Sequence, residues 1–424
     1  MFEKYDAYKD SGDKWIGKIP TDWFNERLGT ILEPISIKGN ADKDLLSITR
    51  EKGVILRDVE DDSENHNFIP DDLSNYKLIE KGQFGMNKMK AWQGSYGVSP
   101  YTGIVSPAYY IFRFIKPIYP DFFHWAIRSK TYISFFGSAS DGVRIGQWDL
   151  SKDRMKNIPF VFPDIDSQKK IVEFIRDKAE KIDQAIAIKE QQITLLNERK
   201  QIVIQKAVTQ GLDPNVPMKD SGVEWIGQIP EHWELEKVKR LFKLIIDPAP
   251  NNNDFELLSV YTDIGVKPRK DLEERGNRAS TTDGYWKVQK GDIIVNKLLA
   301  WMGAIGLSNY EGVTSPAYDI LRARKPLSPY FYHLLFRSPI CSSELKKHSR
   351  GIMDMRLRLY FDKFGDVLVP YAPITEQNEI IKYIEVEEQK INAGIELINQ
   401  QIEKLKEYKT TLINDAVTGK IKVA

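Results

Sequence analysis

The sequence predicts an α+β protein: two tandem mixed α/β domains with antiparallel β-sheets, separated by two long helices that form an intramolecular antiparallel coiled coil with pseudo-two-fold symmetry. Three observations carry that prediction. The chain repeats itself at an offset of about half its length. Each repeat begins with short β-type runs broken by turns. Each repeat ends on roughly 40 residues patterned in heptads.

The repeat is read in three blocks. Lys9–Leu28, KDSGDKWIGKIPTDWFNERL, matches Lys219–Val238, KDSGVEWIGQIPEHWELEKV, at an offset of 210. Gly82–Arg113 matches Gly291–Arg322 at 209, with Asn-Lys, Ala-Trp, a GxxG pair and Ser-Pro-Ala-Tyr in register. Ile182–Thr209 matches Ile391–Thr418, also at 209, ending in AVTQG and AVTGK. So long a period is a duplicated domain plus its following helix, not a solenoid. Between the blocks the halves diverge. Arg57–Ile79 is acidic, whereas its counterpart from Pro268 begins basic. A common frame with different inserts suits a two-headed reader of two different targets better than a duplicated enzyme.

The elements follow in order. The Trp, Gly and Pro-rich openings read as extended chain and turns. Strands are expected at Ile31–Ile37, Leu45–Thr49, Ile104–Phe114, Asp292–Val295 and Ala317–Leu321. Short helices are expected at Pro120–Thr131 and Pro329–Phe336, then last strands at Asn157–Phe162 and Asp366–Val369. From Ser167 to Thr209 there is no Pro or Gly. Ile175, Ala179, Ile182, Ile186, Ile193, Leu196, Val203 and Ala207 mark one stripe. Ile384, Ile391, Ile395, Ile398, Ile402, Leu405, Leu412 and Ala416 mark the other. Asp166, Ser167 and Thr375 are candidate N-caps, and Gly211 and Gly419 are candidate stops. Each helix is about 60 Å long at 1.5 Å per residue. Neither stripe is stable alone in water. The other helix of the same chain is the nearest partner, and a second chain is the alternative. Lys189, Lys200 and Lys409 interrupt the stripes, so those seam positions are open to another protein. The boundaries that result are 1–165, 166–210, 211–374 and 375–424.

Composition excludes several classes. With 61 Lys plus Arg against 60 Asp plus Glu, net charge is +1, so a nucleic-acid surface requires local segregation of charge. A hydrophobic share of 42% with nine Trp argues against disorder. The single Cys341 precludes an internal disulfide and, with five scattered His, argues against a zinc site. The first residues are charged, unlike a signal peptide, and no 18-residue apolar run is present. The expectation is a soluble, cytoplasmic protein.

Candidate chemistry is sparse. Ser106-Pro107-Ala108-Tyr109 and Ser315-Pro316-Ala317-Tyr318 superficially resemble the Asp/Asn/Ser-Pro-Pro-Tyr/Phe motif of amino-methyltransferases. Ala replaces the second Pro, however, and no glycine-rich cofactor loop follows an early strand, so a strand start is the better reading. Gly94–Gly97 and Gly303–Gly306 read as tight turns, or as places where backbone approaches phosphate. No Walker motif is present, and no nucleophile triad or carboxylate pair recurs in both halves. Charge does segregate: Arg113–Lys156 holds eight basic and four acidic residues, and Arg337–Lys363 seven and three. Two loops lie there, Ser138–Trp148 and Ser349–Leu359. Arg144, Gln147, Arg350, Arg356 and Arg358 on them suit base-edge readout, since Arg pairs with guanine and Gln with adenine. Lys88, Lys90 and Lys297, beside the GxxG turns, suit phosphate. Each alone reads equally well as a solvated surface charge.

The WIGxIPxxW openings, the NKxxAWxGxxG blocks, the AVTQG and AVTGK helix ends and the Pro163…Gln168 and Pro373…Gln377 helix starts together resemble the specificity subunit of Type I restriction–modification enzymes. The resemblance covers the whole chain. It implies two target-recognition domains, each reading half of a split site on double-stranded DNA. It also implies helices that serve as a ruler and as a dock for two methyltransferase subunits, with Ile182, Ile186, Ile193, Leu196, Ile391, Ile395, Ile402 and Leu405 in seam and docking roles. Restriction subunits with translocase and nuclease activity join when present. S-adenosylmethionine, ATP and Mg belong to those partners. No cofactor, metal or catalytic residue is expected in this chain, and no membrane contact. Rival readings are a related system with a fused methyltransferase–nuclease partner, a coiled-coil scaffold that binds proteins, and an enzyme with an unrecognised site.

Overall fold

The computed structural model describes residues 2–57, 69–142, 148–271, 281–351 and 357–423. They fall into two compact bodies: Met1–Lys189 with Gln400–Ala424, and Glu190–Asn399. The first body combines an N-terminal and a C-terminal stretch, and the second is contiguous.

In the first body, strand Tyr8–Asp10 pairs antiparallel with Lys18–Pro20. A four-stranded antiparallel sheet follows in the order Leu32–Ile35, Tyr109–Phe114, Phe84–Asn87, Tyr96–Val98. Leu46–Thr49 and Gly53–Leu56 form a hairpin, and Lys77–Ile79 pairs with Gly103–Val105. Phe84, Phe122, Phe123, Tyr132, Phe136 and Phe160 fill the core with no exposed surface. That aromatic density is what closes a body made of such short strands.

The second body repeats the frame. Its sheet runs Phe242–Ile245, Tyr318–Ala323, Ile293–Asn296, Ile305–Leu307. The register is also the same: Phe112 faces Phe84 in the first sheet, and the corresponding Leu321 faces Ile293 in the second. Phe242, Phe331, Tyr332, Leu335 and Phe336 form its core.

Several expected elements are interrupted. Ile104–Phe114 is two strands, because Ser-Pro-Ala-Tyr makes a turn: Tyr109 N–H donates to Ser106 O at 3.0 Å, and Ala108 N–H to Ser106 Oγ at 3.3 Å. Tyr318 and Ala317 repeat this on Ser315. The expected Ile31–Ile37 strand begins only after a helical turn at Leu28–Ile31. The helix expected at Pro120–Thr131 ends at Ile127, and a second, Lys130–Ser138, follows. This break lets Tyr132 and Phe136 turn inward.

The long helices are Ile165–Gln210 and Ile374–Val417. Their caps differ from expectation. Asp164 Oδ1 accepts the N–H groups of Asp166 and Ser167 at 3.0 and 3.1 Å, so Asp164 is the cap of the first. Thr375 lies inside the second helix, whose start is held by a buried glutamine instead. Gln377 donates to Ala372 O at 2.8 Å and accepts from Ser328 N–H at 2.9 Å. Gln168 does the same with Pro163 O at 2.9 Å and Tyr119 N–H at 2.8 Å. The acceptor lies five residues before the glutamine in both, which accounts for the one-residue difference in Pro–Gln spacing.

The two helices pair antiparallel within each body. In the first, Lys409 Nζ reaches Asp183 Oδ1 at 2.7 Å and Lys189 Nζ reaches Gln401 Oε1 at 2.6 Å. In the second, Lys200 Nζ reaches Asn392 Oδ1 at 3.3 Å. Ile182, Ile391 and Ile402 are buried, and Ile186, Ile193, Leu196, Ile395 and Leu405 are half-buried. The three lysines expected to face another protein therefore cross to the opposite helix. Polar pairs of this kind fix register more than they add stability.

The repeated opening and the repeated helix end make one joint. Ala416, Val417, Thr418 and Gly419 are buried in the first body beside Trp23 and Pro20. Ala207, Val208 and Thr209 are buried in the second, where Gly211 adjoins Trp233 and Pro230. Gly211 and Gly419 have φ of 75° and 72°, a left-handed conformation that stops a helix readily only at glycine. Trp233 Nε1 donates to Glu376 Oε2 at 2.9 Å.

Candidate nucleic-acid interface

In both bodies the lysine that follows the strand-ending Asn is joined through its backbone to the base of a loop. Leu150 N–H donates to Lys88 O at 3.1 Å, and Leu359 N–H to Lys297 O at 2.8 Å. Ser140–Asp141 pairs with Asp149–Leu150 under the first loop. Arg350 and Arg358 form the matching bridge, exchanging N–H···O bonds of 3.0 and 2.9 Å. The two sequence features singled out separately, lysine and loop, thus meet in space.

The candidate residues have different environments. Lys90 is exposed. Lys88 Nζ lies 3.0 Å from Asp149 Oδ2, and this bond holds the ammonium above its usual range. Lys297 Nζ lies 3.2 Å from Asp319 Oδ1 and 3.0 Å from Pro316 O. Burial raises the Asp319 carboxyl, against the pull of Lys297. Arg350 is exposed, 3.8 Å from Asp362. Arg144, Gln147 and Arg356 lie outside the described residues.

The GxxG turns are structural. Gly94 and Gly303 both have φ of 91°. A Cβ on Gly97 would sit 3.1 Å from His124 Cε1. Arg128 binds the carbonyls of Tyr96, Arg50 and Glu51 at 2.6, 2.8 and 2.7 Å. Arg337 binds those of Gly303, Thr262 and Asp263 at 2.8, 2.8 and 2.9 Å. These two arginines, counted above as surface charge, tie the neighbouring hairpin to the GxxG turn. His124 Nδ1 accepts from Val98 N–H at 3.2 Å and His333 Nδ1 from Leu307 N–H at 3.1 Å. Burial, then the adjacent arginine, pushes both imidazoles down to about 4, so both are neutral at pH 7. The signal for this His-xxx-Arg device was its recurrence at the repeat offset, which inspection of each half alone does not reveal.

Sequence reasoning also missed Lys38, Lys77 and Lys152. Lys77 Nζ donates to Tyr109 O at 2.7 Å. Lys152 Nζ stands 4.3 Å from the Tyr110 ring centroid. Burial first, then the charges of Lys152, Lys38 and Lys88, lower the Lys77 ammonium. These lysines are far apart in sequence and come together only through the sheet.

Cys341 is buried and free, and burial raises its thiol. Among the described residues no group of His, Cys, Asp and Glu could hold a metal ion. None of their helices is long and apolar enough to cross a membrane.

The two bodies thus share one design, with a loop of different composition anchored at the same place in each. No protein-family model matches the chain. It is 22% identical over 433 residues, 96% of each chain, to a provisionally named type I restriction enzyme MjaX specificity subunit of Methanocaldococcus jannaschii. It is 24% identical over 312 residues, 68% of each chain, to the type I restriction enzyme MjaVIII specificity subunit of the same organism. The crystal structure of the HsdS subunit from Thermoanaerobacter tengcongensis shares the fold, with a TM-score of 0.53 and 15% identity over 95% of this chain and 98% of that one. The resemblance read from the repeated motifs therefore holds: the chain is similar along nearly its full length to specificity subunits of type I restriction enzymes.

Proposed function

We propose that this chain is the sequence-specific DNA-binding subunit of a Type I restriction–modification complex. It recognises an asymmetric bipartite site on double-stranded DNA and docks two methyltransferase subunits and, where present, restriction subunits. The observation that carries the reading is one frame built twice around different loops: the same strand order and register, the same lysine-to-loop anchor, and different side chains at the surface. Contacts to phosphate fix a protein on the duplex, and contacts to base edges select the sequence. Lys88 and Lys90 serve the first purpose, and Lys297, paired with Asp319, serves it by hydrogen bonding rather than by net charge. Arg144, Gln147, Arg350, Arg356 and Arg358 serve the second.

The chain is non-catalytic on this reading. S-adenosylmethionine, ATP and Mg act in the partner subunits. Ile182, Ile186, Ile193, Leu196, Ile391, Ile395, Ile402 and Leu405 form the seam that keeps the ruler stiff. Docking then falls to exposed apolar residues of the helices: Ile188 and Tyr408 in the first body, and Leu195, Ile202 and Leu397 in the second. Methylation mapping of genomic DNA with and without the gene is the test. Loss of one split, asymmetric adenine-methylated motif on deletion is the expected result. An unchanged methylome in cells that express the methyltransferase partners refutes it.

A further inference from the structure

The two heads carry different electrostatic designs on matching faces. In the first body Lys38, Lys77, Lys88 and Lys152 gather around Tyr109 and Tyr110. Leu78 N–H donates to Ile37 O at 2.8 Å, which sets Lys38 beside Lys77. Lys77 Nζ is held at 2.7 Å on Tyr109 O, and Lys152 Nζ lies over the Tyr110 ring at 4.3 Å. Asn87, opposite Tyr109 in the ladder, leads directly into Lys88. Among the described residues only Lys88 has a carboxylate partner, Asp149. Among the described residues Lys38, Lys77 and Lys152 have no carboxylate partner.

The second body replaces this face residue by residue. Its Lys287 N–H donates to Asp247 O at 2.8 Å, so Pro248 stands where Lys38 stands in the first. Trp286, paired with Thr314, takes the place of Lys77, paired with Val105. Phe361 opens the short helix that Lys152 opens in the first. Asp319 replaces Tyr110 and neutralises Lys297 at 3.2 Å. No unanswered lysine remains at these four places.

We infer that the first head holds its DNA mainly through phosphate, by way of Lys38, Lys77 and Lys152, while the matching face of the second head contributes no net cationic contact. The second face, with Trp286, Phe361 and a neutralised Lys297, suits apolar and hydrogen-bonded contact. This rests on the DNA-binding reading above and adds an asymmetry in how the two halves are held. Each neutralised phosphate releases counterions and steepens the dependence of log K on log salt by about 0.9.

The test measures fluorescence anisotropy of a labelled duplex of about 40 base pairs with the full chain and its methyltransferase subunits, across a salt series. Lys38→Gln/Lys152→Gln changes two exposed side chains and is expected to flatten the slope by about 2. Lys287→Gln/Asp247→Asn removes the 3.2 Å ion pair beside Trp286 in the second body and is expected to leave the slope within about 0.5 of wild type. Circular dichroism melts check that both variants are folded. Equal flattening by the two variants, or none by the lysine pair, overturns the inference while DNA binding stands. Absence of DNA binding by the wild-type complex at every salt concentration refutes the underlying reading and the inference with it.

Discussion

The joint glycines allow a within-chain test of the packing. Gly211→Ala and Gly419→Ala each change the left-handed glycine that follows a long helix, one residue out of register in the repeat, and their surroundings differ. At Gly211 an added Cβ would meet Glu376 Oε1 at 3.1 Å, Trp233 Cζ2 at 3.5 Å and Pro230 Cγ at 3.6 Å. The carboxylate tip can shift, so the cost is mainly the left-handed backbone, about 1 kcal/mol. At Gly419 the Cβ would meet Pro20 Cδ at 2.5 Å and Cγ at 2.7 Å. A proline ring cannot swing aside, so overpacking adds about 2 kcal/mol to the same backbone term. Peeling the tail away is no easier escape, because Lys422 N–H bonds Glu3 O at 2.7 Å and Ile421 and Val423 pack on the core. Urea unfolding followed by tryptophan fluorescence should show a loss of about 3 kcal/mol for Gly419→Ala and about 1 for Gly211→Ala. Equal losses, or a larger one at Gly211, would refute the reasoning.

Other consequences follow from the same geometry. His124 and His333 titrate near 4 when folded, below the 6.5 of an unfolded histidine. The unfolded chain therefore binds protons more readily, and each histidine contributes stability above pH 6.5 that is lost as pH falls toward 4, up to about 3 kcal/mol. Thermal melts from pH 7 to 4.5 should be steeper for wild type than for His124→Asn/His333→Asn, and parallel curves would contradict this. Arg128→Met strands the carbonyls of Tyr96, Arg50 and Glu51 and should cost about 2–4 kcal/mol by urea denaturation. Ile402→Ala, at a seam position 5% exposed, should cost about 2–4 kcal/mol by the same measurement. Deleting about one heptad from both long helices should shorten the preferred spacer of the methylated motif or abolish binding, and an unchanged spacer would count against the ruler.

Much of the architecture was legible because it was written twice. The repeat offset showed one frame written twice, and the heptad stripes located both helices, though the bodies divide within those helices, at 189/190 and 399/400. What was not legible depended on distant residues. Asp164 outcompetes Asp166 and Ser167 as a cap because it sits one residue before the helix, which hydrophobic periodicity alone cannot place. Thr375 does not cap because Gln377 anchors that helix to the Ser328 turn, a contact across 49 residues. Lys189, Lys200 and Lys409 looked like gaps in a stripe, yet each finds a polar partner on the opposite helix, a pairing set by register rather than by composition. Within the candidate interface, the lysine and loop features were visible in sequence, but their convergence was not. Lys38, Lys77 and Lys152 come from a loop, a strand and a short helix. Only the sheet order brings them together.

The claim at the centre of this account is that each body reads one half of a split DNA site independently of the other. It is tested most directly by a chain in which the sequence of the first body's domain, residues 1–165, also replaces residues 211–374. Single-molecule methylation mapping in cells supplying the methyltransferase subunits should then reveal a motif with two copies of the first half-site and no trace of the second. Retention of the original asymmetric motif, or simultaneous change of both halves, would contradict the account.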